Sequence, residues 1–169
     1  EWDAEAAEKS GYEHFMIKEI HEQPKAVSDT LNSVIKDGMI DLSEVGLSEE
    51  EIKEISQIYI VACGSAYHVG VAAQYVMEDL ARIPVRVELA SEFRYRNPIL
   101  DPKGLVVIIS QSGETADSLA ALRESKKQGV KTLGIVNVIG SSIAREADNV
   151  YYTLAGPEIA VATTKAYST

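Results

Sequence analysis

Hydrophobic positions divide the chain into an N-terminal part with helical spacing and a longer part in which apolar runs alternate with amphipathic stretches. In Glu1–Glu22 the apolar residues are spaced as on one side of a helix. Pro24 is predicted to begin a second helix that ends at Asp37–Gly38. Ser48 opens a capping-box pattern, which predicts a short third helix. We therefore expect a helical entry arm and linker over residues 1–56.

Five short apolar runs follow, and each is a predicted strand. They are Ile58–Ala62, Val85–Leu89, Leu105–Ile109, Lys131–Val136 and Val150–Leu154. Predicted helices lie between them at Ala66–Arg82, Thr115–Gln128 and Ser141–Ala147. The third and fourth strands are apolar at consecutive positions, which indicates burial on both faces and a parallel sheet. The pattern predicts a doubly wound, five-stranded α/β domain over residues 57–169.

Composition and charge narrow the classes of partner. The net charge of −10 argues against nucleic acid or an anionic membrane surface. No apolar run approaches the ~20 residues that cross a bilayer. A single cysteine cannot form an internal disulfide, so a reducing, cytoplasmic location is expected. His14, His21 and His68 have no second cluster of ligands, and we expect neither a metal nor a cofactor.

The candidate chemistry lies where predicted strands end, because doubly wound sheets bind ligands at the carboxyl ends of their strands. Cys63–Gly64–Ser65 follows the first strand and precedes a helix, which is a general pattern for an anion site. Neither a dinucleotide-binding nor a P-loop glycine pattern is present. Cys63 itself is expected to be a small, buried core residue.

The segment Ser110–Thr115 is the most informative part of the sequence. It joins a central apolar strand to a helix and contains three hydroxyls, one amide and a glycine. This combination predicts a nest of backbone N–H groups and hydroxyls around a phosphate, aided by the helix dipole. An alternative is that Ser112 or Thr115 only caps its own helix. A nucleophile elbow would need glycine at position 110, so no serine hydrolase is indicated.

Four segments in this order resemble the sugar isomerase (SIS) domain family. They are Cys63–Ser65, Ser91–Arg96, Ser110–Asp117 and Glu158–Ala166. The second and fourth segments resemble the aminotransferase branch of that family. The resemblance implies a flavodoxin-like SIS fold and a part in making glucosamine 6-phosphate from fructose 6-phosphate and glutamine.

The resemblance also implies which residues bind the substrate. These are Ser65, Ala66, Ser110, Gln111, Ser112, Thr115, Val161 and Thr163. Ala66 stands where related enzymes carry a serine, so only its backbone is expected to contribute. The catalytic base, the ring-opening histidine and the Schiff-base lysine are expected in a second SIS lobe, and ammonia production in a glutaminase domain. We therefore expect no catalytic residue in this chain, no turnover by it alone, and a homodimeric whole protein.

Two alternatives and three side-chain assignments stay open at this stage. The chain could be a sugar-phosphate-sensing SIS module of a regulator, although its acidic arm disfavours DNA binding, or another SIS phosphosugar isomerase. Arg94 is expected to pair with Glu92 on the surface or to reach a partner chain. Glu158 is expected to be solvated or to accept a sugar hydroxyl. Lys165 is not expected to form a Schiff base.

Overall fold

The computed structural model describes residues 8–169, which form two compact units. The arm unit contains the residues up to Asp41 together with Thr153–Thr169, and the sheet unit contains Leu42–Tyr152. The first seven residues of the predicted N-terminal helix lie outside the described residues. The division at residue 56 stays a prediction about domains, and the compact units divide at other positions.

A single helix, α1 (Phe15–Asn32), replaces the two helices expected in the arm. Pro24 lies inside α1, so the predicted interruption was wrong. Proline has no N–H for the carbonyl of Ile20, four residues earlier. The side-chain amide of Gln23 donates to that carbonyl at 3.1 Å. The helix therefore continues because a neighbouring side chain satisfies the acceptor that the proline leaves open.

A small hairpin follows α1, with strands β1 (Ile35–Lys36) and β2 (Met39–Ile40) paired antiparallel. Asp37 and Gly38 between them have φ angles of 52° and 77°. Asp-Gly is a strong signal for a two-residue hairpin turn that needs positive φ at both positions. The prediction that the second helix extends to Asp37–Gly38 was therefore wrong.

The sheet unit contains the five expected strands, all parallel. They are β3 (Gln57–Ala62), β4 (Val85–Leu89), β5 (Gly104–Ser110), β6 (Lys131–Val136) and β7 (Asn149–Tyr152). Its helices are α2 (Glu49–Glu54), α3 (Gly64–Ala81), α4 (Ala90–Phe93), α5 (Ala116–Lys127) and α6 (Ser142–Glu146), and α7 (Lys165–Ser168) lies in the arm unit. The strand order β4-β3-β5-β6-β7 is the flavodoxin-like order. The predicted fold class is confirmed.

The core lies on both faces of this sheet. On one face, alternate residues of β3 and β5 pack with residues of α4, α5 and α6 around the fully buried Phe93 and Leu122. On the other face, Ile60 and its neighbours pack beneath α3. A Cβ at Gly70 of α3 would lie 2.8 Å from Ile60 Cγ2, so glycine allows the helix to approach closely. Helices on both faces make the sheet doubly wound.

The two strands predicted to be buried on both faces behave differently. In β5 every residue except Ile109 is buried. In β6 buried and half-buried positions alternate, so the prediction was wrong for that strand. The reason is that α3 packs over β3, β4 and β5 within the sheet unit, and Leu133 and Ile135 of β6 are only partly covered. The capping box at Ser48 is present and begins α2 as expected.

Candidate functional site

The strand order reverses its direction between β3 and β5, and this switch point places the candidate site. From β3 the chain passes to β4 on one side of the sheet and then to β5 on the other. The carboxyl ends of β3 and β5 are adjacent, because Ala62 pairs with Ile109. Ligands of doubly wound sheets bind in the crevice at such a point. Both predicted strand-end segments therefore lie at one edge of the sheet.

The first strand end opens directly into α3. Gly64 has a φ of 57°, a backbone conformation that favours glycine, and the side chain of Cys63 does not cap the helix. The first-turn N–H groups of α3 consequently have no acceptor within the helix. Ser65 is exposed and Ala66 half-buried in this first turn. Helix N–H groups and the Ser65 hydroxyl are thus presented together at the crevice.

The second strand end is a loop that supports itself through its own hydroxyls. Ser110 Oγ accepts a hydrogen bond from Gly113 N and shares another with Thr115 Oγ1, each at 3.1 Å. Ser112 Oγ accepts from Glu114 N at 3.2 Å. Ser110 is buried, whereas Ser112 and Thr115 are half-buried. Ser110 therefore braces the loop from below, and the hydroxyl proton of Ser112 stays available to an acceptor outside the loop.

The hydroxyls of Ser112 and Thr115 do not cap α5, so the helix-capping alternative was wrong. Thr115 occupies the N-cap position of α5, but its side chain makes no capping hydrogen bond. Ser112 bonds within the loop and not to the helix. The first N–H groups of α5 therefore have neither a helical acceptor nor the Thr115 hydroxyl as partner. Their partial positive charge favours an anion beside the loop.

Gly113 is required by space as well as by backbone conformation. Its φ is 66°, and a Cβ there would lie 2.0 Å from Ser141 Oγ. The loop is also tied to the segment after β6, since Ile143 N donates to Gly113 O at 3.0 Å and Asn137 N donates to Gln111 O at 3.1 Å.

Sequence reasoning missed two residues that contact the loop, Asn137 and Ser141. They follow the next strand along the sheet, so the same strand-end rule could have found them.

The carboxylates near the loop are occupied by other partners. Glu114 Oε1 accepts from Ser142 N at 2.7 Å, and hydrogen bonding by Ser142 lowers the pKa of Glu114. Asp117 receives a hydrogen bond from Arg94 Nη1 at 2.6 Å, which raises the pKa of Arg94. The expected Glu92–Arg94 pair was wrong, since Arg94 reaches across to α5. Each carboxylate therefore already accepts a hydrogen bond from the protein.

Cys63 is half-buried instead of fully buried, which corrects the expectation for it. Its Sγ accepts a weak hydrogen bond from Ser118 Oγ of α5 at 3.8 Å. The residue therefore joins the end of β3 to the helix that follows the Ser110–Thr115 loop.

The two remaining predicted site residues, Val161 and Thr163, belong to the arm unit. Val161 is fully exposed, whereas Thr163 is half-buried and its hydroxyl donates to Glu158 at 2.9 Å. Glu158 also accepts from Thr164 N at 3.0 Å and Ala166 N at 3.2 Å. The expectation of a merely solvated Glu158 was wrong, because this carboxylate holds the start of α7; its contact with a sugar hydroxyl stays a prediction. The hydroxyl of Thr163 donates its hydrogen bond to Glu158, and its oxygen can still accept one from another group.

Three further observations concern what else the chain could hold. Within residues 8–169 no group of three or more His, Cys, Asp or Glu side chains is placed to hold a metal ion. None of the helices in the described part combines the length and apolarity that a bilayer crossing needs. A cavity lined by Glu51, Gly104 and Lys131 lies at the amino ends of β5 and β6, opposite the carboxyl ends that carry the candidate site. The candidate site is therefore assigned from the residues at the carboxyl ends of the strands and not from this cavity.

The general class of the protein is a doubly wound α/β domain, and its candidate site is a hydroxyl-rich loop without a cation at the switch point of the sheet. Residues 51–169 match the model of the SIS domain family. The chain belongs to the SIS domain family, as the sequence predicted.

Comparison with individual proteins refines this placement. The chain is 61% identical over 169 residues to the glutamine--fructose-6-phosphate aminotransferase [isomerizing] of Caldanaerobacter subterraneus subsp. tengcongensis, covering 99% of this chain and 28% of that protein. The C-terminal domain of glucosamine-fructose-6-phosphate aminotransferase from Francisella tularensis superposes with a TM-score of 0.90 at 48% identity, over 95% of this chain and 45% of that one. Tagatose-6-phosphate ketose/aldose isomerase from Escherichia coli shares the fold, with a TM-score of 0.77 at 17% identity, over 99% of this chain and 46% of that one. The chain thus spans 28% of the length of the curated relative.

Proposed function

We propose that this chain is the phosphosugar-binding lobe of a glutamine–fructose-6-phosphate aminotransferase and binds fructose 6-phosphate. The observation that carries the proposal is the self-braced Ser110–Thr115 loop at the switch point, opening onto the N-terminus of α5. The names of the relatives at 61% and 48% identity support the choice of substrate. The activity of the whole protein, which makes glucosamine 6-phosphate, is part of the same proposal.

The proposed phosphate site needs no lysine. Each hydrogen bond to a charged group contributes about 1.5–3 kcal/mol, so a few donors are sufficient. Ser112 and Thr115 would donate their hydroxyl protons and Gln111 its amide, together with the first N–H groups of α5. Ser110 would act by holding the loop, consistent with its burial. An overall charge of −10 provides no long-range attraction for a phosphate, so recognition depends on these short-range donors.

The sugar is proposed to contact the other predicted residues. Ser65 would offer its hydroxyl and Ala66 its backbone at the first strand end. Val161 would contact the sugar. Thr163 would accept a hydrogen bond from a sugar hydroxyl, because its own hydroxyl donates a hydrogen bond to Glu158. Proton transfer between C1 and C2 would need a general base. Glu114 and Glu158 are both committed to backbone N–H groups, so we propose binding without turnover by this chain.

The experiment that tests this proposal is titration calorimetry on the chain and on Ser112→Ala. The wild type is expected to bind fructose 6-phosphate, whereas fructose without phosphate does not bind. Ser112→Ala should raise the Kd about 10- to 100-fold, because one hydrogen bond to the phosphate is lost. Ser28→Ala on the exposed side of α1 serves as the matched control and should leave the Kd unchanged. Equal binding by the wild type and Ser112→Ala, or equal binding of fructose, would contradict the phosphate assignment.

Two properties of the whole protein belong to the same proposal. We propose a cytoplasmic homodimer, with no nucleic acid or membrane as a partner. The single cysteine and the acidic composition support the location and the absence of polyanionic partners. Exposed apolar side chains such as Leu31, Met39 and Ile40 support an interface with another polypeptide.

A further inference from the structure

Helix α1 buries a polar face. Lys18, Glu22, Ala26 and Thr30 are four residues apart and share one side of the helix, with Glu19 beside them. Of these, Lys18, Glu19, Ala26 and Thr30 are buried. Four of the larger apolar side chains of the same helix are exposed, namely Ile17, Ile20, Val27 and Leu31, whereas Phe15 and Met16 are half-buried. This reverses the usual arrangement of a surface helix, in which the apolar stripe is covered.

The polar side chains of α1 bind the C-terminal segment of the arm unit. Thr30 Oγ1 accepts from Leu154 N at 2.8 Å, and Lys165 Nζ donates to Glu22 at 2.6 Å. Glu19 Oε1 accepts from two consecutive backbone groups, Ile159 N at 2.6 Å and Ala160 N at 3.0 Å. These contacts hold the segment along the helix at successive points.

We infer that Glu19 is a positioning residue, which fixes the backbone at Ile159–Ala160 and thereby sets the place of Val161 and Thr163 for the sugar. This inference rests on the proposed function for the role of Val161 and Thr163. Ala160 directly precedes Val161, so a rotation of the peptide that Glu19 holds would displace the side chains that follow. The two hydrogen bonds come from the N–H groups of successive peptides to one carboxylate oxygen, so they fix the position of both peptides relative to Glu19.

Burial of Glu19 supports a role beyond stability. The residue is 2% exposed, and its second oxygen, Oε2, is buried without a hydrogen-bond partner among the described residues. Removing a carboxylate from water is costly, and an apolar residue in its place is often as stable or more stable. Glu22 lies next to it between Lys18, at 3.3 Å, and Lys165. Burial raises the pKa of Glu22, but hydrogen bonds from these lysines outweigh that effect and lower it overall.

Two substitutions separate hydrogen-bond geometry from charge. Glu19→Gln keeps an acceptor oxygen for both N–H groups, and its NH2 replaces the oxygen that has no partner. Glu19→Ala removes the acceptor altogether. Asp29→Asn is the control on the same helix, since Asp29 pairs with Lys25 and not with the C-terminal segment. Far-UV circular dichroism and thermal unfolding check that each variant is folded.

Two measurements on the whole 169-residue chain test the inference. The first is NMR-detected amide hydrogen exchange at Ile159 and Ala160, which needs no ligand. The second is calorimetric titration with fructose 6-phosphate and with inorganic phosphate as separate probes. Glu19→Ala should accelerate exchange at both amides and weaken fructose 6-phosphate binding about tenfold. Its affinity for inorganic phosphate should stay within about twofold, because the proposed phosphate site lies in the sheet unit. Glu19→Gln should stay within about threefold of the wild type for both ligands.

Three results would overturn the inference: unchanged amide exchange in Glu19→Ala, equal weakening for both ligands, or a Glu19→Gln variant as defective as Glu19→Ala. A wild-type chain that binds fructose 6-phosphate no better than inorganic phosphate would instead contradict the proposed function. The exchange measurement would still decide whether Glu19 holds the segment. The two failures are therefore distinguishable.

Discussion

At the scale of single residues, Gly113 has the most demanding environment in the candidate site. Its φ of 66° favours glycine, and a Cβ would lie 2.0 Å from Ser141 Oγ and 2.5 Å from Ser141 Cβ. Gly113→Ala is expected to lower the free energy of unfolding by roughly 2–4 kcal/mol, which combines backbone strain with steric overlap. Urea denaturation measures this change. The same variant should bind fructose 6-phosphate at least tenfold more weakly, because the loop moves.

Two control variants separate backbone strain from steric overlap in the loss of stability expected for Gly113→Ala. Gly129 has a φ of 75° and nothing within 4 Å of its Cβ position, so Gly129→Ala reports strain alone, about 1–2 kcal/mol. The double variant Gly113→Ala/Ser141→Gly removes the overlapping atoms and should recover the steric part. If Gly113→Ala is no more harmful than Gly129→Ala, the packing of the loop against Ser141 is not as described.

At the scale of elements, Pro24 inside α1 gives a prediction about stability. A proline in a helix interior costs about 3 kcal/mol, partly offset because proline also restricts the unfolded chain by about 1 kcal/mol. The Gln23 amide reduces the remaining penalty by satisfying the Ile20 carbonyl. Pro24→Ala should therefore raise the free energy of unfolding by about 1–2 kcal/mol in urea denaturation. Lys25→Ala, one residue along, should change it by less than about 0.5 kcal/mol. A less stable Pro24→Ala would mean that the proline ring itself packs favourably.

The same helix shows where sequence patterns are ambiguous. The five strands could be predicted because their apolar runs are short and bounded by turn residues. Asp37–Gly38 is both a helix stop and a hairpin turn, and local spacing does not choose between them. Pro24 normally ends or kinks a helix, and its compensation by Gln23 depends on one side-chain conformation.

The candidate site was predictable to a similar degree. Strand ends are a property of topology, so the Ser110–Thr115 loop and Ser65 could be located from the sequence. The contact between Gly113 and Ser141 depends on how two loops 28 residues apart pack, as does the hydrogen bond from Ser142 to Glu114. Pairing of Arg94 with Asp117 and not with Glu92 likewise depends on the position of α4 against α5.

At the scale of the whole molecule, acidic side chains in polar contacts should govern the response to pH. Within the sheet unit, hydrogen bonds to carboxylates lower the pKa of several of them. These include Glu51, Asp101, Glu114 and Glu146. For Asp148, burial raises the pKa, but hydrogen bonds from Lys126 and Thr132 together outweigh this effect and lower the pKa overall. A carboxylate with a lowered pKa stabilises the folded state at neutral pH, and this contribution is lost on acidification. The chain is therefore expected to unfold progressively more easily in acid.

Glu51 provides the sharpest test of this expectation. Hydrogen bonds from Lys131 and Ser48 lower its pKa from 4.5 to about 2, so α2 is joined to β6 by an ionised carboxylate. Because the folded pKa lies below the unfolded one, the stabilisation is complete above about pH 5 and disappears as the pH falls towards 2. In thermal unfolding between pH 7 and pH 2, Glu51→Gln should be less stable than the wild type at neutral pH, and the difference should shrink over that interval. Glu50→Gln, in the same turn of α2, removes a carboxylate that does not bond Lys131 and should show no such convergence. A constant difference between the wild type and Glu51→Gln at every pH would show that the ionised pair does not link α2 to the sheet.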